Sequence, residues 1–447
     1  MEKNVAMNAG EQKMEKETEI KSETEKKEKD WLHYYAGHIR FDMMNLLKWV
    51  VLAVVTGVIV GAVSSLFAHV LTWVTNFRGS HGQIMYLLPI AGLVIVFLYD
   101  KVGKEDRGTN QVFSTVRSRD EVPLRSAPLI FIATALTHLT GGSAGREGAA
   151  IQLGGSIANQ LGRWIRLDEE DRHVIVMCGM SAAFAAVFGT PMAAAVFAME
   201  VISVGIMYYA AFAPCVIAAL IASGFAANLG IHPEAFHVTG IPAFTVETGI
   251  KMGIVAVGCA AVGILFCMAL HGMGKFYGRY LKNKYIRVAA AGCIVIAMTL
   301  LLHTTDYMGA GNGLIERAVE HGEADWYTFL IKLILTAVTM KAGYKGGEIV
   351  PSFCIGATFG CVMGQLLGLS PSVCAAAGMA AVFCSVTNCP ITSILIAFEL
   401  FGFEGVSFYL LAVAISYATS GYYSLYKDQT IVYSKYKAKF VNHRTRT

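Results

Sequence analysis

Two glutamates stand in glycine-rich runs inside strongly apolar sequence. Glu147 lies in GGSAGREGAAIQLGGSIA, Gly141 to Ala158, and Glu348 lies in AGYKGGEIVP, Ala342 to Pro351. A charge within a membrane segment is costly and marks an ion path or cavity. Glycines just ahead of a helix leave unpaired N–H groups at its positive dipole end, which is a socket for an anion. A carboxylate at the mouth of such a socket occupies it when ionised and vacates it when protonated. The chemistry implied is competition between an anion and a proton for one site. For Glu147, burial favours the neutral acid and the positive helix end favours the carboxylate. The bland alternative is an ion pair with its neighbour Arg146, which itself reads as structural or vestibule-lining. For Glu348 the bland alternative is a carboxylate that caps its own helix.

Helices must begin at each of these runs, and the composition says where they sit. The chain has 447 residues, 55% of them hydrophobic and 15% charged, with mean hydropathy +0.52. Soluble domains carry about 25% charge. Nine acids and seven lysines are crowded into the first thirty residues, so the remainder reads as a polytopic membrane protein. The opening tract reads as disordered chain or solvated helix, not as a secretory signal. Trp31 to Arg40 suits a helix at the lipid interface. Apolar segments follow at about 48–76, 84–100, 125–140, 150–163, 173–188, 191–228, 249–279, 286–302, 327–341, 351–368, 373–387, 390–402 and 406–420. Several are too short for the roughly 20 residues a span needs, the mark of discontinuous helices meeting near the midplane. The ten cysteines, Cys178 to Cys389, show no metal-ligand spacing and read as small buried apolar residues. No metal or cofactor is expected. The few basic residues exclude nucleic acid as a partner, and the basic end of the chain (Lys435, Lys437, Lys439, Arg444, Arg446) points to a cytoplasmic C-terminus.

The sequence also repeats. Gly179 to Pro191 matches Gly378 to Pro390 without a gap at an offset of 199, which carries Glu200 onto Glu399. The two glycine runs form a second matching pair. The expected organisation is a charged tract and interfacial helix at 1–44, a first membrane half at 45–245, and a second at 246–447 with a short cytoplasmic end and no soluble regulatory domain. Equivalent sites in two halves place a binding site at their interface. The repetition is visible; that the halves are inverted in the membrane is inferred.

These residues carry a resemblance. GREG at 145–148, GGEIVP at 346–351, and the paired blocks ending in Glu200 and Glu399 resemble the CLC family of anion channels and proton-coupled anion antiporters over about residues 45–435. The resemblance implies an all-α polytopic inverted repeat of tilted and broken helices, a homodimer, and one anion pathway per subunit. Three departures stand out. The first anion loop, usually GSGIP, reads GTNQVF at 108–113, which puts Asn110 where a serine would contact chloride. The second socket, usually GGIFAP, has Glu348. The residue after Glu200, an internal proton-relay glutamate in chloride antiporters, is Val201. Together these resemble the fluoride-exporting branch, although that branch is expected to carry a hydroxyl residue where this chain has Val350.

The resemblance implies Glu147 as the gating, proton-exchanging glutamate and Glu348 as a second carboxyl serving proton and fluoride. A protonated carboxyl is a strong donor to fluoride, a strong acceptor, and two close carboxyls would share one proton. The anion-binding set is Asn110, Phe113, Gly145, Arg146, Gly148, Ile349, Val350 and Tyr426. Asn110 would offer an amide N–H (or be a turn residue), Phe113 a positive ring edge (or plain packing), and Ile349 and Val350 their backbone N–H groups. Tyr426 matches the tyrosine that closes the inner end of the pathway. Glu200 and Glu399 tempt a relay reading but are expected to end their helices. Lys341 and Lys345 flank the second socket, either neutralising Glu348 or snorkelling. The expectation is a fluoride/proton antiporter in the plasma or inner membrane of the cell, both termini cytoplasmic, with fluoride and protons as substrates. The rival is a chloride/proton antiporter or passive chloride channel of the same fold. An enzyme is disfavoured, since the sequence holds no GxSxG and no HExxH.

Overall fold

The computed structural model describes residues 43–103, 108–117, 122–437 and 439–446. The charged tract and the interfacial helix expected at Trp31 to Arg40 lie outside them.

The chain is overwhelmingly helical, and its punctuation is chemical. It runs α1 Met43–Ser80, then α2 Leu88–Lys101, α3 Thr109–Arg117, α4 Ser126–Thr140, α5 Glu147–Trp164, α6 Glu169–Phe188, α7 Pro191–Glu200 and α8 Phe212–Asn228. The second set is α9 Val246–Tyr280, α10 Lys284–Leu302, the short α11 Asn312–Glu316, α12 Thr328–Ala342, α13 Ile349–Leu367, α14 Pro371–Thr387, α15 Pro390–Phe401 and α16 Val406–Thr419. Proline at the first helical position starts α7, α14 and α15, where its missing N–H costs nothing. The single apolar run expected at 191–228 is therefore broken: α7 stops at Glu200, and a two-residue strand precedes α8.

Lengths repeat between the sets. Both open on a helix far longer than a bilayer core, 38 residues for α1 and 35 for α9. At ~1.5 Å per residue each exceeds 50 Å against a hydrocarbon core of about 30 Å, so each must tilt. The pair α5–α6 crosses where a Cβ on Gly154 would meet Gly179 O at 2.2 Å, and the pair α13–α14 where one on Gly356 would meet Gly378 O at 2.4 Å. Small residues let helix backbones touch at matching points of both halves. Homologous helices also meet each other, α2 with α10 and α7 with α15.

Glu200 and Glu399 show the symmetry at hydrogen-bond level. Glu200, the last residue of α7, accepts from Ile391 N (3.1 Å), Thr392 N (2.9 Å) and Thr392 Oγ1 (2.6 Å) at the start of α15. Glu399 of α15 accepts from Met192 N and Ala193 N, both 2.9 Å, at the start of α7. Each carboxylate caps the other's helix and satisfies N–H groups that have no intrahelical acceptor. Reciprocal contacts of this kind require a twofold relation between the halves, as an inverted repeat has.

One element departs from the all-α expectation. A small sheet orders as β1 Ser203–Val204, β2 Thr430–Tyr433 and β3 Phe440–Arg444, with β1–β2 parallel and β2–β3 antiparallel. It fastens the end of the chain beneath the turn that carries Tyr426.

Candidate functional site

The two glycine runs meet. Gly145 N donates to Gly347 O and Gly347 N to Gly145 O, both at 2.7 Å. This two-residue antiparallel bridge joins the loops that start α5 and α13. No side chain fits there: a Cβ on Gly347 would lie 2.6 Å from Gly148 N, and one on Gly346 2.6 Å from Ala144 Cβ. The glycines are needed for this contact, and it takes up the Gly145 N–H expected to hold an anion.

The bridge is braced symmetrically. Ser143 N donates to Thr339 Oγ1 of α12, and Lys345 N donates to Thr137 Oγ1 of α4, each at 3.3 Å. Both pairs of equivalents stand 202 positions apart. Ser143 Oγ also bonds Thr336 Oγ1 at 3.1 Å. A third loop supports the first: Ala144 N donates to Gly309 O and Gly309 N to Gly142 O, both 3.1 Å.

Glu147 is the first residue of α5 and its side chain is fully buried. Its carboxylate turns back onto the loop, accepting from Arg146 N at 3.1 Å and Arg146 Nε at 3.2 Å. The side chain thus lies back over the start of its own helix. The ion pair with Arg146, which the sequence offered as the alternative to a gate, is present. Arg146 has a second partner that the sequence did not suggest. Its Nη2 donates to Glu234 at 2.5 Å, and Glu234 also accepts from Asn312 Nδ2 at 3.0 Å. Glu234 keeps the guanidinium paired if Glu147 leaves, which avoids a stranded buried cation.

Glu348 is the N-cap residue of α13, yet its side chain caps nothing. It reaches Lys341 Nζ at 3.5 Å. Ile349 and Val350 follow it as the first buried residues of α13, with their N–H groups at the positive helix end. The expected shared proton is not what the geometry gives: Glu147 rests on Arg146 and Glu348 on Lys341, with no hydrogen bond between them. Lys345 serves differently, with its ammonium over the Tyr99 ring at 4.1 Å.

At the other end, Phe113 and Tyr426 pack edge to face with centroids 4.8 Å apart, both buried. Phe113 is thus packed against an aromatic partner. Asn110 accepts from Asp428 N at 3.4 Å through its carbonyl oxygen, which turns the oxygen to the Tyr426–Gln429 turn. Arg117 Nη1 donates to Asp428 O at 2.7 Å, and Thr445 Oγ1 to Tyr426 O at 2.9 Å. Thr109 Oγ1 donates to Gly148 O at 3.2 Å, tying α3 to the first socket. Val201 is fully buried, and its carbonyl accepts from Gln429 Nε2 at 2.8 Å. Among the described residues no cluster of side chains suits a metal ion.

The structure thus gathers Glu147, Gly145, Arg146 and Gly148 around the bridge with Glu348, Ile349 and Val350, and links them through α3 to Asn110, Phe113 and Tyr426. Sequence reasoning missed Glu234, Thr137 and Thr339. The threonines were recoverable, since the offset that matches the sockets also matches them.

Comparison with known proteins agrees with this geometry. A family model described as "Voltage gated chloride channel" matches residues 91–421. A "Chloride/fluoride channel protein" of Pseudomonas syringae pv. tomato is 37% identical over 402 residues, 88% of each chain. An "H(+)/Cl(-) exchange transporter ClcA" of Cronobacter sakazakii is 26% identical, covering 79% of this chain and 82% of its own. Among solved structures, a CLC-type fluoride/proton antiporter superposes with TM-score 0.82 at 35% identity, over 86% of this chain and 98% of that one. A slow cyanobacterial Cl-/H+ antiporter gives TM-score 0.74 at 19% identity, over 83% and 94%, a likeness of fold.

Proposed function

The chain belongs to the voltage gated chloride channel, or CLC, family of multi-pass membrane proteins, and on that premise we propose that it is a fluoride/proton antiporter expelling cytoplasmic fluoride. The observation that carries this reading is a carboxyl at the head of each facing helix, Glu147 on α5 and Glu348 on α13. A second carboxylate beside an anion path repels chloride. Protonated, it is a donor that fluoride accepts strongly.

In this reading Glu147 is the gate. Ionised, it fills the first socket through Arg146 N; protonated, it releases that N–H and fluoride takes the place. Glu234 retains Arg146 meanwhile. Ile349 and Val350 N–H groups hold the anion, and Glu348 donates its proton to it. Val201 leaves no acid at the position where chloride antiporters carry one, so protons travel on Glu147 and Glu348. Tyr426, packed on Phe113 and flanked by Asn110, closes the inner end. Similarity to the CLC-type fluoride/proton antiporter and to the chloride/fluoride channel protein supports fluoride as cargo. The protein works as a homodimer in the cell membrane with both termini in the cytoplasm.

The test is initial efflux from liposomes holding the purified protein, read with fluoride and chloride electrodes side by side. The reading expects fluoride to leave and chloride to stay. Equal rates would favour the chloride antiporter or channel.

A further inference from the structure

A cavity of about 350 Å³ opens beside Arg146, lined by the end of α1 (Asn76, Arg78), by His138, and by the backbone of Met308–Gly313. Its volume admits about ten molecules the size of water, at ~30 Å³ each. That is room for a small ion with its hydration shell.

The ionisable groups named around this cavity sum to a single positive charge, because Arg146 shares two carboxylates while Arg78 and Lys332 contact only carbonyls. Arg146 is paired with Glu147 and Glu234, and Asp306 on the cavity wall is paired with Arg317. Arg78 reaches only a carbonyl, that of His138. Behind the glycine wall lies Lys332, fully buried, whose Nζ donates to Tyr307 O at 3.1 Å and Gly309 O at 2.7 Å. Carbonyls satisfy its N–H groups but do not neutralise its charge. Among the described residues neither Arg78 nor Lys332 has a carboxylate within ion-pair distance. Both press on the same thin wall. The Arg78 guanidinium lies 3.3 Å from a Cβ built on Gly309, and Lys332 Nζ lies 3.3 Å from one on Gly311. Arg78 lines the cavity itself, and Lys332 acts on whatever occupies it through the bare backbone of Gly311. An unneutralised buried cation is costly, and a mobile anion would offset that cost.

We propose that this cavity is a second anion site, distinct from the helix-end sockets, which takes a small hydrated monovalent anion and holds it beside Arg146. The site goes beyond the proposed fluoride exchange and does not depend on which halide is the cargo.

Bromide is a usable probe because its anomalous scattering locates it. Crystals of the full chain soaked in sodium bromide should show a peak in the cavity beside Arg78, in the native protein and in Glu147→Gln alike. Arg78→Gln removes one charge from the wall and should demand about tenfold more bromide for the same occupancy, taking about 1.4 kcal/mol for one charge at close range in a partly solvated site. Asn76→Asp adds a carboxylate on an exposed, already polar position of α1. It should empty the cavity without touching the Arg78 hydrogen bond, so it decides the matter if Arg78→Gln folds poorly. A peak confined to the sockets, or equal cavity occupancy in native, Arg78→Gln and Asn76→Asp crystals, would overturn the proposal. Neither result bears on fluoride selectivity, which efflux measures separately.

Discussion

Glu200 decides between two uses of a buried acid, and its substitutions separate them. In the structure it accepts three hydrogen bonds from the first turn of α15 while nearly fully buried. Glu200→Ala strands Thr392 N and the Thr392 hydroxyl in a dry site and strips the cap from α15. At about 1–3 kcal/mol per stranded group, the loss comes to about 3–5 kcal/mol. Glu399→Ala removes two bonds from a less buried position, so it should cost less, about 2–3 kcal/mol. Glu200→Gln keeps the shape and one acceptor oxygen, enough for the Thr392 donors; it gives up the Ile391 N hydrogen bond and the charge at the helix end, about 1–2 kcal/mol. Unfolding can be followed with a thiol-reactive dye, because the cysteines other than Cys293 are buried. The stability order should be native, Glu200→Gln, Glu399→Ala, Glu200→Ala. Folded Glu200→Gln should carry anion and proton in the native ratio. If it moves fluoride normally but no longer moves protons, Glu200 is a relay and the capping argument is wrong.

Other expectations follow from the same geometry. Glu147→Gln removes the tethered anion and should abolish proton movement, leaving anion flux blocked or uncoupled when both are recorded in liposomes. Glu348→Gln keeps a hydrogen-bond donor but not a transferable proton; its fluoride-to-chloride rate ratio should fall by about tenfold or more if it loses the roughly 1.5 kcal/mol that charge-assisted hydrogen bonds contribute at the low end. Gly347→Ala places a methyl 2.6 Å from Gly148 N and should destabilise by about 2–4 kcal/mol with loss of transport, checked by the same dye and by efflux. Asp428→Ala removes a 3.9 Å pair with the mostly exposed Arg444 and a 3.3 Å hydrogen bond from Ser114 Oγ. It should cost about 1–2 kcal/mol and leave transport intact, since Asn110 is held by the Asp428 backbone rather than its carboxylate.

What the sequence made legible was what chemistry permits at few positions. Glycines between charges inside apolar sequence have little use except close backbone contact and exposed N–H groups, and the close contact is found at the Gly145–Gly347 bridge, where the two N–H groups are paired. The gapless match of Gly179–Pro191 with Gly378–Pro390 told of equivalence but not of partnership; Glu200 and Glu399 prove to serve each other's helices across the twofold. Glu234 was invisible because it sits in an aperiodic loop 88 residues from the arginine it holds. The sheet was missed for a similar reason: Ser203–Val204 and Thr430–Tyr433 are too short to show alternation, and they pair only because the chain end folds back. The match between the two sockets suggested more than it delivered. Two carboxyls expected to share a proton are each drawn to a nearby cation, Arg146 or Lys341.

The central claim is that Glu147 and Glu348 exchange a proton for fluoride. Its most direct test imposes an outward fluoride gradient on proteoliposomes at equal pH inside and out, with the membrane voltage clamped, and follows internal pH. Protons should move inward against the gradient they build, in fixed ratio to the fluoride leaving, and Glu147→Gln should abolish that movement. Fluoride efflux with no proton movement would contradict the account.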